Sequence, residues 1–275
     1  MTEANNQDNS GLSSPFRGTG GVTGINIFPL SEGSFTIDKT KVFVPFDESE
    51  HQLTDRPTGS LLVEIQPFLV QTSKDLLLLD CGLGYNLPDG TLQLHDNIRK
   101  AGFQPEQVTK VLMSHLHKDH AGGIGNPQTG RFAGGHDLNL PNALYYVQQR
   151  ELDYAWQTGG PSFLMDELEP LVHSPQVQFL HDDHGFIDGY IEYKHSGGHS
   201  PFHQVFWIRE EGQTIFFGGD EAPQLSQMKV RYKTKYDFNP EKAMELRQQY
   251  WAQGGEEGWT FLFYHDIKNP VYPQP

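Results

Sequence analysis

From Thr23 onward, short apolar runs alternate with turn residues. Ile25-Asn26-Ile27-Phe28, Ser34-Phe35-Thr36-Ile37 and Lys41-Val42-Phe43-Val44 are set apart by Pro29, Gly33 and Asp38, and Leu61–Ile65 and Phe68–Val70 continue the series. The pattern predicts a β-meander leading into Leu76-Leu77-Leu78-Leu79, whose unbroken apolarity fits a strand buried on both faces. A helix is predicted over Leu92–Ala101, stopped by Gly102, and a strand over Lys110–Ser114. Ala143–Val147 reads as a strand, Gln148–Gln157 and Phe163–Val172 as helices, and Val177–Leu180 and Tyr190–Lys194 as strands. In the second helix Met165, Leu168, Leu171 and Val172 form a stripe that reads first as core packing. Val205–Arg209 and Thr214–Phe217 pair through Glu210-Glu211-Gly212. A last helix opens on Asn239 as cap with Pro240 at its first position and is expected to end at Gly254-Gly255, before a strand over Trp259–Phe263. Strand, helix and strand in succession predict a layered α/β fold.

The length of 275 residues supports one large core or two small ones. The expected division is a flexible tail over residues 1–21, polar and rich in Asn, Ser and Gly, followed by one domain over 22–275. Gly18-Thr19-Gly20-Gly21 follows no strand and lacks the Lys-Ser/Thr pair of a phosphate loop. No signal-type apolar segment opens the chain and no run is long enough to span a membrane. With a single cysteine, Cys81, no intrachain disulfide forms; the expectation is a cytoplasmic protein. A formal net charge of −15, without an evident basic footprint, argues against nucleic acid and anionic membrane partners. A small-molecule substrate is expected, and a homodimer is compatible with the chain.

The chemistry concentrates in His115-Leu116-His117-Lys118-Asp119-His120, directly after the Lys110–Ser114 strand and before Ala121-Gly122-Gly123. In extended chain His115 and His117 face one way; once the chain turns, Asp119 and His120 can reach a second position. Two imidazoles for one ion, and a carboxylate with an imidazole for another, suit zinc and its neighbours. A Gly-x-Ser-x-Gly elbow is missing, which excludes the common serine hydrolase arrangement. His181-Asp182-Asp183-His184 reads as a polar turn, His136 as a solvated loop residue within the Gly122–Pro141 connection, and Cys81 as a small buried residue.

The motif His-x-His-x-Asp-His resembles the signature of the metallo-β-lactamase superfamily, and four further motifs follow in family order. These are Leu76–Asp80 with Gly82, Gly198-His199-Ser200-Pro201-Phe202-His203, Ile215–Asp220, and Phe261–Asp266. The resemblance covers about residue 60 to the C-terminus and implies an αββα sandwich. It implies that His115, His117 and His199 hold one divalent ion, that Asp119, His120 and His265 hold another, and that Asp220 bridges them. Asp80 and His203 are implied to orient the ligands from behind. Zinc is the expected metal, with iron or manganese chemically allowed. The implied activity is hydrolysis of an ester-like bond by a bridging hydroxide, with Asp119 and Asp220 as catalytic carboxylates. Motif spacing resembles the lactonase and organophosphate-hydrolase-like branch, so a lactone or small ester is the expected substrate. A glyoxalase-type thioesterase, a phosphotriesterase and a non-catalytic metal-bound sensor or interaction module are the alternatives. Two departures stand out: Phe202 replaces a glycine and is expected to narrow the pocket or alter the turn, and no Tyr follows Asp220, where Glu221-Ala222-Pro223 stands instead.

Overall fold

The computed structural model describes residues 24–125 and 137–273. The tail over 1–21, the Gly18–Gly21 run and His136 lie outside the described residues. The strands are β1 (Asn26–Pro29), β2 (Gly33–Ile37), β3 (Val44–Pro45), β4 (Leu61–Ile65), β5 (Phe68–Gln71), β6 (Leu76–Leu79), β7 (Lys110–Leu112), β8 (Leu144–Gln148) and β9 (Val177–Leu180). They continue as β10 (His184–Ile187), β11 (Ile191–His195), β12 (Gln204–Glu210), β13 (Gln213–Phe217), β14 (Thr260–Leu262) and β15 (Val271–Tyr272). Two six-stranded sheets result, ordered β1-β5-β6-β7-β8-β9 and β10-β11-β12-β13-β14-β15.

Three apolar cores separate four layers. Val70, Leu77, Leu79 and Leu112 of the first sheet meet Ile191, Phe206, Ile208, Phe217 and Leu262 of the second. Alternate residues turn outward: Leu69, Leu76, Leu78 and Val111 pack on Leu94, Ile98, Leu152 and Leu168, which lie on the helices Gln93–Lys100, Gln149–Thr158 and Met165–His173. On the far side, Val205, Trp207, Phe216 and Phe261 pack on Met228 and Tyr250, the latter from the helix Pro240–Glu257. The strict inside–outside alternation along β12 and β13 is the period-two geometry of a strand with helices on one face and a sheet on the other. The αββα sandwich is therefore present as expected.

Two local expectations are corrected. The N-terminal strands do not form one meander. β1 pairs with β5, whereas β2, β3 and β4 make a separate three-stranded sheet ordered β3-β2-β4. The chain steps across after Pro29: Leu30 N–H donates to Pro67 O and Glu32 N–H to Ile65 O, carrying it from β5 to β4. Lys41–Phe43 falls outside any strand, and Lys41 takes a φ of 59°. The last helix does not stop at Gly254-Gly255 but runs to Glu257 and ends on Gly258, at φ 71°. Gly254 answers a packing demand instead, since a Cβ there would come within 2.2 Å of the Phe261 ring. In the stripe of the Met165–His173 helix, Leu168 and Leu171 are buried and Met165 packs against the core, while Val172 is exposed.

Candidate metal centre

Each sheet contributes a parallel pair whose ends meet at the seam. β6 and β7 lie side by side and parallel, ending at Asp80 and at the His115–His120 turn. β13 and β14 do the same in the second sheet, ending near Asp220 and His265. The β11–β12 connection supplies His199 and His203. Rigid strands thus place every predicted ligand at one edge of the sandwich, as a site needing precise geometry requires.

Two groups of donor atoms match the expected sets, and a third, Asp80 with His115 and His120, overlaps them. His115, His117, His199 and Asp220 form one, and Asp119, His120 and His265 another, each with ligand atoms within 4.8 Å of one another. His117 Nδ1 lies 2.9 Å from His115 Nε2 and 3.1 Å from His199 Nε2. Asp220 spans both groups. Its Oδ2 is 3.2 Å from His199 Nε2, and its Oδ1 is 3.1 Å from His120 Nε2 and 2.9 Å from His265 Nε2. Asp119 Oδ2 stands 3.6 Å from His120 Nε2 and 3.5 Å from His265 Nε2.

The groups behind these rings fix their tautomers. His120 Nδ1–H donates to Asp80 Oδ2 at 2.7 Å, His199 Nδ1–H to Asp237 Oδ1 at 3.0 Å, and His265 Nδ1–H to Glu64 O at 2.7 Å. Ser114 Oγ donates to Asp80 Oδ2 and accepts from His115 Nδ1–H at 3.0 Å. All four rings therefore turn Nε2 inward, the arrangement of metal-ligating histidines. Lone pairs facing each other at about 3 Å repel, and a shared cation relieves the repulsion. His120 Nε2 and Asp220 Oδ1 are buried and make no aligned hydrogen bond with any group. Buried polar atoms left this way are costly unless something else satisfies them, so the donor set fits a pair of divalent ions.

Electrostatics divide the rings of the site into two kinds. Burial, reinforced by neighbouring rings, holds His115, His117 and His203 well below the usual imidazole range. Neutral rings are what a metal needs. Burial opposes charge on His120, His199 and His265, but the Asp220 carboxylate outweighs it and raises all three, and these rings in turn hold the Asp220 carboxyl well below its ordinary value; bound cations would take the place of that positive charge. His203 Nε2 accepts from Asp220 N–H at 3.2 Å, so this histidine steadies the backbone of the spanning carboxylate.

Sequence reasoning missed Asp237, Glu221 and Ser114. Asp237 is buried behind His199 and held from its other side by Arg247 at 3.7 Å. Glu221 fills the place where a Tyr was looked for; it is buried, and its Oε2 accepts from Gly198 N–H and His199 N–H. Neither Asp237 nor Glu221 sits in a recognisable motif, so only the fold reveals them. Of the two expectations for Phe202, the narrowed pocket is corrected: its ring faces Tyr154 and His195, with Arg150 over it, and does not border the cleft. Cys81 is fully buried, and burial pushes its thiol up, which fits packing and not nucleophilic work. In the 181–184 run, Asp183 pairs with Arg150 and His184 with Glu192, away from the centre.

Asp80 takes an unusual φ of 56° while accepting from Ser114 N–H at 2.7 Å, Ser114 Oγ–H and His120 Nδ1–H. An amide at this position would set its N–H against one of three donors. Asp80→Asn protein is expected to bind zinc about 10- to 100-fold more weakly in competition with a chelator. An unchanged affinity would show that His120 needs no such support.

Above the two groups lies a cleft of about 790 Å³, counting its open mouth. Ile37, Leu61 and Val63 of the β2–β4 sheet, with Phe43 from the β2–β3 connection, form one wall, and the 223–237 segment forms the other. Asp119, Asp220 and His265 open onto its floor.

The sequence profile of the metallo-beta-lactamase superfamily matches residues 64–257. The chain belongs to this superfamily. Its curated relatives include an N-acyl homoserine lactonase, AttM, of Agrobacterium fabrum, 35% identical over 120 residues, or 42% of this chain and 41% of that one. The match thus spans about two-fifths of that relative's length. AiiA of Bacillus thuringiensis subsp. kurstaki, another N-acyl homoserine lactonase, is 22% identical over 86% of this chain and 98% of its own. Among solved members of the fold, a probable metal-dependent hydrolase from Staphylococcus aureus superposes with a TM-score of 0.71 at 20% identity, covering 90% of this chain and 91% of that one. AidC, a dizinc quorum-quenching lactonase, superposes at 0.68, also at 20% identity, covering 90% and 89%. At such identities the superpositions establish the metallo-beta-lactamase fold and nothing finer.

Proposed function

We propose that this protein is a lactonase that holds two divalent ions, most simply zinc. His115, His117 and His199 would hold one ion, Asp119, His120 and His265 the other, with Asp220 shared. The observation that carries this reading is the reach of Asp220, one oxygen toward each donor group. The homoserine lactonases among its relatives point to a lactone as the substrate class. A bound ion pair supplies Lewis acidity and a water acidic enough to ionise near neutral pH.

The chain's own residues do the rest. The apolar wall of Ile37, Phe43, Leu61 and Val63 takes the hydrocarbon part of the substrate and keeps competing water away. Asp119 opens onto the cleft, with Tyr264 O–H donating to its backbone oxygen at 2.7 Å. Its carboxylate is the group placed to return a proton to the alkoxide that leaves when the ring opens. Tyr264 also stacks on His120 at 4.0 Å, fixing that ring's plane.

The test is elemental analysis of protein purified without chelator, combined with a panel of lactones, thioesters and phosphotriesters. Two ions per chain and turnover of lactones above the other classes are expected. No metal under replete conditions, or a phosphotriester or thioester turned over faster than every lactone, would overturn the reading.

A further inference from the structure

In a chain of net charge −15, the cations gather where the cleft opens. Lys229, Arg231, Lys233 and Lys235 alternate through one segment that leads straight onto the cleft wall at Thr234 and Tyr236. Composition hides this cluster because the rest of the chain is acidic. Two further lysines line the cleft itself. Lys118 stands between the ligands His117 and Asp119, and its ammonium reaches across to Lys41 O while lying 5.7 Å from the Phe43 ring centroid. Lys41 Nζ sits 4.8 Å over the Tyr236 ring, with Lys235 Nζ 5.2 Å from the same ring.

Lys233 pairs with Glu241, but the charges of Lys41 and Lys118, at the cleft itself, are not cancelled by its own carboxylates. Among the described residues, three carboxylates border the cleft. Asp119 and Asp220 belong to the metal donor groups, and Asp237 is occupied by His199 and Arg247. Glu167, whose charge would act on Lys118, is largely buried; desolvation pushes its carboxyl up to about 8, so it is mostly neutral at pH 7. Lys118 spends one of its three N–H donors on Lys41 O and keeps two for a ligand. Between these ammonium groups and the floor lies the apolar wall, with room for an aliphatic stem.

We infer that Lys41 and Lys118 select substrates whose acyl arm ends in an anion. The inference rests on the lactonase reading and narrows its substrate class: an aliphatic stem on Ile37, Leu61 and Val63, and an anionic end group at the two lysines. The basic 229–235 segment draws such a molecule toward an otherwise repulsive acidic surface.

A matched pair tests this: N-adipoyl-homoserine lactone, whose arm ends in a carboxylate, against N-hexanoyl-homoserine lactone, the same length without charge. The kcat/KM ratio of acid to neutral substrate is expected to be about tenfold or more at low ionic strength and to shrink with added salt. Lys118→Met and Lys41→Gln should each lower the ratio about fivefold. Lys118→Arg should preserve it. Lys41→Gln keeps the carbonyl that Lys118 uses, so it separates lost charge from a displaced loop. A lactone ended by phosphate tells which anion is preferred; a higher ratio for either supports the inference. A wild-type ratio of one or less, or a ratio moved by neither substitution, overturns it. If no lactone is hydrolysed, the lactonase reading fails on its own. Calorimetry on metal-loaded protein then compares the Kd of N-adipoyl-homoserine with that of N-hexanoyl-homoserine. Tighter binding of the acid, weakened by either lysine substitution, supports the inference; equal or weaker binding overturns it.

Discussion

Asp220→Ala protein is expected to fold, to carry at most one divalent ion per chain, and to lose about 10³-fold or more in kcat/KM on a lactone. The expectation follows from geometry. Among the described residues, Asp220 is the side chain with one oxygen at each donor group, 3.2 Å from His199 Nε2 and 2.9 Å from His265 Nε2. Removing it leaves His115, His117 and His199 on one side and Asp119, His120 and His265 on the other, with one fewer negative charge between two dications, so the ions repel and one departs. The backbone turn survives, because His203 holds Asp220 through its N–H and not its carboxylate. Asp220→Asn serves as the companion: it keeps the shape and removes the charge, and it should fail nearly as badly. Metal content by elemental analysis and lactone turnover are the readouts. Two ions retained in Asp220→Ala, with turnover within tenfold of wild type, would sink the bridging role.

Gly122→Ala is expected to cost about 3 kcal/mol of stability or more, and with it roughly 6–12 °C in Tm. Gly122 has an ordinary helical φ of −61°, so backbone freedom is not the reason for glycine here. Contact is the reason. A Cβ would stand 2.3 Å from Leu83 O and 2.8 Å from Lys118 O, both backbone atoms that cannot swing aside. The metal-binding turn is laced to the Asp80–Gly84 loop by Cys81 N–H to His120 O at 2.7 Å and Gly122 N–H to Gly82 O at 2.9 Å. Pushing the strands of this lacing apart also shifts His120 from Asp80, so metal affinity should fall together with Tm. Thermal unfolding with and without added zinc measures both. A Tm within 2 °C of wild type would mean that the loop yields easily.

Much of this was legible in the chain. Alternation and unbroken apolar runs located most strands, though not β10, whose His184 was read in a turn, or β15, and the His115–His120 run stood at the end of a buried strand, where ligand spacing has meaning. The layer arrangement came from the resemblance, because periodicity cannot say which strands share a sheet; β1 and β2 are neighbours in sequence yet belong to different sheets. Helix ends were misplaced where glycine served packing, as at Gly254. The carboxylates behind the ligands were invisible when they came from unpatterned segments: Asp237 lies 38 residues from the histidine it supports. Phe202, singled out from its motif alone, turned out to face away from the cleft. A residue's place in a motif does not fix the direction of its side chain.

The split of the donor atoms between the two sheets has a mechanical consequence. His115, His117, Asp119 and His120 follow β7, whereas His199, Asp220 and His265 follow strands of the other sheet. Ions held this way act as a clasp across the interface between two half-structures. Each ion would add bonds across the seam, so stripping both with chelator is expected to ease the parting of the halves. Once the clasp is gone, the apolar interlayer and direct hydrogen bonds such as Tyr264 O–H to Asp119 O still join the halves, and amide exchange at the site ends of β6–β7 and β13–β14 should quicken.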